Sequence, residues 1–195
     1  MRPLRPNFIV GIGASAGGLN AFKALLGAMP SDTGMAFVVI SHLMPTAHSQ
    51  LAKILARHTK MPVVVALEAM PIAANHVYVI APDVDLLIEN DAFKVVSPRT
   101  GRNRQVDLFL ISLAEAMGPR AIGIILSGYD EDGAEGCGQI KAKGGVTFAQ
   151  DSSAEVGEMP LSAQATGFVD FVLPPEKMPR ELQRLATLSK KQKVS

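Results

Sequence analysis

Cysteine is almost missing from this sequence: Cys137 stands alone, so no disulfide can form within the chain. A lone thiol fits a reducing compartment, and a cytoplasmic protein is expected. An excess of either charge is missing too. Nineteen Lys and Arg stand against 18 Asp and Glu, a net charge of +1, which gives no whole-chain argument for a nucleic-acid partner or an anionic membrane. No long apolar run opens the chain; Phe8-Ile9-Val10 is too short for a signal-peptide core or a membrane span. Internal repeats and low-complexity segments are absent. With 195 residues, 48% hydrophobic and 19% charged, the chain is a core-former sized for one domain. Its core is expected over about Phe8 to Leu188, and the lysine-rich residues Ser189 to Ser195 read as a frayed end or the start of a linker.

The chain is organised around Phe8 to Gly18, an apolar run that breaks into glycines around Ser15 just before a helical pattern from Leu19 to Met29. A strand ending in a glycine-lined turn at a helix N-terminus presents its turn residue at the carboxyl edge of an α/β sheet, with backbone N–H groups aimed the same way. Two short motifs overlap here. Gly13-Ala-Ser15-Ala-Gly17 fits the nucleophile elbow, and Gly11-Ile-Gly13-Ala-Ser15-Ala16 fits the dinucleotide fingerprint. A serine that merely caps the helix is the plain alternative.

Buried-strand patterns at Met35–Ile40 and Met61–Ala66 flank a helix from about Ser49 to His58, a strand-helix alternation that predicts a doubly wound, three-layer α/β/α fold with a mostly parallel sheet. The segments 76–82, 86–89 and 92–96 follow too closely for helices between them and predict an antiparallel insertion with a hairpin at Asn90-Asp91. Alternation resumes with a helix near Val106–Met117, a strand Ala121–Leu126 and a helix Ala134–Ala142. A strand Val146–Ala149, a short helix near Ser162–Thr166, a strand Val169–Leu173 and a helix from Glu176 to Leu188 complete the chain.

A serine hydroxyl needs a base, and the base an orienting carboxylate. Of the four histidines, His42 ends the second strand, the expected sheet neighbour of the first, and so belongs at the crevice of Ser15. His58 lies in a helix and His76 opens a strand, where structural or solvated roles are expected; His48 is a weaker candidate. Asp130, Glu131 and Asp132 follow the strand ending at Leu126, and Asp132, directly before Gly133 and a helix, is the best-placed acid; a helix N-cap or a solvated loop is its alternative. A metal site lacks support, because no Cys/His cluster or EF-hand spacing accompanies the acids. The order Ser, His, Asp differs from that of ordinary α/β-hydrolases. The dinucleotide reading weakens, since Ser41-His42 stands where an acid would hold a ribose.

Gly13-Ala-Ser15-Ala-Gly17-Gly18, Val38-Val-Ile-Ser-His42, Leu126-Ser-Gly-Tyr-Asp-Glu-Asp132-Gly-Ala134 and Gly157-Glu-Met159-Pro160 together resemble the catalytic domain of the chemotaxis protein-glutamate methylesterases, the CheB family, over nearly the whole chain. The resemblance implies a cofactor-free serine hydrolase that removes methyl groups from γ-glutamyl esters on chemoreceptor helices and also deamidates glutamines. It implies Ser15 as nucleophile, His42 as base then acid and Asp132 as the orienting carboxylate, with Ala16, Tyr129 and Met159 around the oxyanion and substrate. The chain departs from the family pattern in three ways. Ala16 replaces a threonine, Tyr129-Asp130 replaces Met-Gly, and no receiver domain precedes the first strand. Receiverless domains of this kind resemble segments of fusions that also hold a CheR-type methyltransferase, so a methylated receptor or receptor-like protein is the expected partner. A non-catalytic scaffold module of a sensory fusion is the rival expectation. The Arg99, Arg102 and Arg104 loop is either a surface for an acidic receptor helix or an ordinary solvated face.

Overall fold

The structure, a computed structural model, describes residues 3–42 and 45–192, with 45–49 and 190–192 described as backbone only. Its elements are β1 (Ile9–Ala14), α1 (Gly18–Ala28), β2 (Ala36–Ser41), α2 (Pro45–Leu55), β3 (Val63–Val65), β4 (His76–Val79), β5 (Asp85–Glu89), β6 (Ala92–Val96), α3 (Gln105–Met117), β7 (Ala121–Ile125), α4 (Ala134–Ala142), β8 (Val146–Gln150), α5 (Glu158–Ala165), β9 (Phe171–Leu173) and α6 (Met178–Gln192). Seven strands pair in parallel in the order β3-β4-β2-β1-β7-β8-β9, and β5 and β6 form a separate antiparallel hairpin.

The apolar runs at β1, β2 and β7 are buried on both faces, as a sheet covered on two sides requires. Alternate side chains divide the core. Val10, Ile12, Phe37, Val39, Ile122 and Ile124 face α1, α2 and α6, whose Phe22, Leu25, Leu51, Leu55, Met178 and Leu182 meet them. Ile9, Val38, Ile40 and Ile125 face α3, α4, α5 and the hairpin, through Phe109, Leu110, Ile140, Met159, Leu86 and Phe93. The fold class expected from the sequence is thus observed: helices on both faces of a mostly parallel sheet, with an antiparallel hairpin added.

The hairpin is smaller than expected. Segment 76–79 does not join it; His76–Val79 lies inside the main sheet, parallel to β2 on one side and β3 on the other. A helix is not needed between β3 and β4, because the loop 66–75 returns the chain to the start of the sheet, with the Tyr78 hydroxyl accepting the Ala73 N–H at 2.8 Å. Val77 and Val79 are fully buried, and that burial outweighs the shortness of the connection. Three helices also differ in their limits, and α2 runs Pro45–Leu55 where Ser49 to His58 is expected, so His58 lies just past its end. The helix expected at Ser162 begins at Glu158, because Pro160 sits in its first turn, where a missing N–H has no intrahelical partner to lose. The last helix continues past Leu188 to Gln192, and 193–195 lie outside the described residues. Among the described residues no helix is long and apolar enough to cross a membrane.

Gly11 and Gly13 let α3 lie directly on β1. A Cβ on Gly11 would stand 2.7 Å from Leu110 Cδ2, and one on Gly13 would stand 2.4 Å from Val106 Cγ1. Helix packing therefore accounts for the spacing that imitates a dinucleotide fingerprint. Gly13→Ala must displace the stiff Val106 side chain, and a loss of about 1–3 kcal/mol in unfolding free energy is expected; urea denaturation beside the wild type checks it.

Candidate active site

The parallel order places the ends of β1, β2 and β7 side by side at the carboxyl edge. Ser15 follows β1 and is locked to the chain leaving β7: its N–H donates to Ser127 O at 2.9 Å, just beyond the Leu126 N–H to Gly13 O bond at 2.8 Å. Its own carbonyl accepts the Gly18 N–H at 2.9 Å, which closes the turn into α1. The Ser15 hydroxyl is partly open and accepts the Tyr129 N–H at 3.0 Å.

Ser127, fully buried, ties three loops together. Its hydroxyl donates to Ala16 O at 2.7 Å and accepts the Val156 N–H at 3.0 Å, while its N–H donates to Gln150 Oε1 at 3.0 Å. Gly128 completes the platform. Its N–H donates to Val156 O at 2.9 Å, and a Cβ there would stand 2.5 Å from Ser15 Oγ and collide with the Met159 sulfur. Only glycine lets the loop pass this close. Met159 is fully buried beneath the loop and donates its N–H to Gly128 O at 3.0 Å, whereas the Tyr129 side chain is 57% exposed. Ala16 and Gly17 have N–H groups that donate to no acceptor among the described residues.

His42 follows β2, and its side chain is 7% exposed. Nε2 faces Asp132 Oδ2 at 2.5 Å, and Nδ1 lies 4.0 Å from Asp130 Oδ2. The imidazole therefore stands between two carboxylates. Among the described residues His42 makes no hydrogen bond to Ser15 Oγ. His58 is exposed, and His76 is held through Nδ1 at 2.8 Å from Ala74 O and stacks on Tyr78. The side chain of His48 lies outside the described residues.

Asp132 is buried with 2% exposure, and an ionised carboxylate there needs fixed donors to replace water. It finds them at the start of α3. Oδ2 accepts the Val106 N–H at 3.0 Å and Oδ1 the Asp107 N–H at 2.8 Å. These are amides that a helix leaves unpaired, and α3 has no side-chain cap of its own, so Asp132 caps it from outside. Asp132 is thus a helix cap, but of α3 rather than of α4, which follows it and takes its cap from α3. Asp107 Oδ1 accepts the Gly133 N–H at 2.9 Å and the Gly136 N–H at 2.8 Å.

Asp130 has φ +70, a left-handed conformation uncommon for a residue with a side chain. Its carboxylate accepts the Asp132 N–H at 2.9 Å and the Asn103 side-chain N–H at 2.8 Å. The neighbouring groove, lined by Asp130, Glu131, Glu158, Leu161 and Ser162, is acidic. Among the described residues no three His, Cys, Asp or Glu side chains form a metal-holding group.

The family model described as CheB methylesterase matches residues 10–182. The chain belongs to the CheB methylesterase family. A putative protein-glutamate methylesterase/protein-glutamine glutaminase of Leptospira interrogans is 34% identical over 178 residues, 89% of this chain and 92% of that protein. Protein-glutamate methylesterase/protein-glutamine glutaminase 3 of Geobacter sulfurreducens is 33% identical over 96% of this chain, which spans only 53% of that relative. Among solved structures, the Thermotoga maritima CheB methylesterase catalytic domain superposes with a TM-score of 0.84 at 28% identity, covering 91% of this chain and 98% of that one. A CheB-family domain is a hydrolase domain.

Asp107 is the residue that sequence reasoning passed over. Its signal was an acid in the first turn of a helix following Asn103-Arg104, but its partners lie on another helix. Burial pushes its carboxyl from 3.8 up to about 6, the Gly136 and Gly133 amides oppose the rise, and the charges of Asp132 and Glu135 add to it. The folded protein then holds a proton that the unfolded chain has released between about pH 4 and pH 6, so the contribution of Asp107 to stability is fully present below this window and is lost as pH rises through it. At about 1.4 kcal/mol per pH unit the fall is roughly 2–3 kcal/mol. Urea titrations from pH 4 to 7 should show this slope in wild type and a flatter one in Asp107→Asn; equal slopes would contradict the assignment.

Proposed function

We propose that the chain is a single catalytic domain acting as a protein-glutamate methylesterase, hydrolysing γ-glutamyl methyl esters to carboxylate and methanol, with glutamine deamidation as a related activity. The observation that carries this reading is the convergence of three loop ends: Ser15 on an exposed amide, and His42 against a buried, capped Asp132. Ser15 Oγ attacks the ester carbonyl while His42 takes its proton. With Nε2 engaged by Asp132, Nδ1 is the ring nitrogen left for this transfer. Asp132 fixes the tautomer and stabilises the imidazolium. The Tyr129 N–H, on Ser15 Oγ before reaction, and the free Ala16 N–H supply donors for the developing oxyanion. His42 then returns its proton to departing methanol, and water, deprotonated by the same ring, releases the acyl group.

The amide, not the side chain, of residue 129 serves this scheme, so Tyr129 substitutes for methionine without loss of the donor. Ala16 costs one hydroxyl but no backbone group. The expected partner is a methylated receptor or receptor-like protein in the cytoplasm, in a system that also has a CheR-type methyltransferase. The arginine loop is a poor candidate for its docking face, because Arg99 pairs with Asp83 at 3.4 Å and Arg104 with Glu135 at 2.7 Å.

One observation favours the rival reading of a non-catalytic module: Ser15 Oγ is held by the Tyr129 amide with no bond to His42. Looser geometry before substrate binds is common in hydrolases. Methanol release from a carboxyl-methylated receptor cytoplasmic fragment separates the two. Wild type should turn over, and Ser15→Ala should lose about 10⁴- to 10⁶-fold while keeping its circular dichroism spectrum. Binding of the fragment without methanol release would support the scaffold reading.

A further inference from the structure

We propose that Asp107 is a positioning residue for His42, acting through Asp132 by way of a reciprocal cap between α3 and α4; this rests on the Ser15 hydrolase reading above. The geometry closes a ring. The Asp107 N–H donates to Asp132 Oδ1 at 2.8 Å, while Asp107 Oδ1 accepts the N–H of Gly133, the next residue after Asp132, at 2.9 Å. The peptide bond between Asp132 and Gly133 completes the circuit. A second bond from the Gly136 N–H, at 2.8 Å, fastens the same oxygen to the first turn of α4.

Each helix thus supplies the acid that the other lacks. Arg104, the N-cap residue of α3, and Gly133, that of α4, make no side-chain cap hydrogen bond. Asp132 satisfies amides at the start of α3, and Asp107 satisfies the cap and first-turn amides of α4. The Asp132 side chain and the N–H of Gly133 that follows it are therefore both held by Asp107. Because Asp132 Oδ2 meets His42 Nε2 at 2.5 Å, a shift of α4 against α3 passes directly to the imidazole. Both acids are buried, with exposures of 7% and 2%.

The charge of Asp107 is secondary in this scheme and the acceptor is essential. Asn presents the same acceptor oxygen, Ser a shorter one that cannot span both amides, and Ala none. The experiment measures methanol release and the downfield imidazole proton of His42 by NMR in wild type, Asp107→Asn, Asp107→Ser and Asp107→Ala, with Ser15→Ala as the control for the chemistry. The kcat per folded protein should fall roughly 10- to 100-fold in Ala, the scale of an ångström-level misplacement. It should fall less in Ser and remain within a few-fold of wild type in Asn, with KM little changed throughout. The downfield resonance should persist in Asn and be lost or broadened in Ala. If Ala does not fold, the Asn and Ser pair carries the same comparison.

A kcat in Ala or Ser equal to wild type overturns the proposal, as does an Asn variant as impaired as Ala. The NMR signal separates this from failure of the hydrolase reading. If wild type releases no methanol, the resonance alone decides: its loss in Ala with retention in Asn supports positioning, and its survival in Ala overturns it.

Discussion

A carboxylate removed from water has to be given fixed donors, and the site depends on how this is done for Asp132. The unpaired amides at the start of α3 are the donors, and the positive end of that helix favours the charge. The His42 half of the crevice follows from this placement. It sets the depth of α3 over β1, which requires Gly11 and Gly13; it fixes the chain where it enters α4; and it offers His42 an acceptor that does not wander. Net stability gained from such a buried ion is small, so its value lies in direction rather than in energy.

The opposite half of the crevice is built without charge. Ser15 stands on a backbone ladder extended from β1 to β7, and the Ser127 hydroxyl stitches the loops after β1, β7 and β8 into one platform. The result is a rigid amide surface under a partly open hydroxyl. An oxyanion formed there in the proposed reaction would meet dipoles already oriented, with little reorganisation left to perform.

The loop between these halves carries a charge of its own, at the position where the family resemblance implies a glycine. Asp130 adopts a left-handed conformation that a glycine takes more readily, and it is held there by the Asp132 N–H and Asn103. The departure thus introduces a second carboxylate beside His42 and extends an acidic groove toward Glu131 and Glu158. Cys137, by contrast, is inert: burial, with the charges of Asp107 and Asp170 adding to it, pushes its thiol up to about 12.

The doubly wound fold, the hairpin at Asn90-Asp91 and the positions of Ser15, His42 and Asp132 at strand ends were legible because each rests on local signals: apolar period, glycine turns and residues placed just past a buried run. The place of β4 was not, because the rule linking parallel strands to helical crossovers failed for a loop that packs well. Nor was the start of α5, which lies at Glu158 because Pro160 is tolerated in a first turn, where it loses no intrahelical bond. Asp107 stayed hidden for a deeper reason. An acid in a first turn is satisfied locally in most helices, and nothing near it in sequence reveals that its acceptor oxygen serves another helix. The sequence by itself determined the fold class and the sheet edge at which Ser15, His42 and Asp132 gather. Only the tertiary structure decided which amides hold Asp132 and which loop crosses Ser15, because those partners are set by helices packing across the sheet, far apart in the chain.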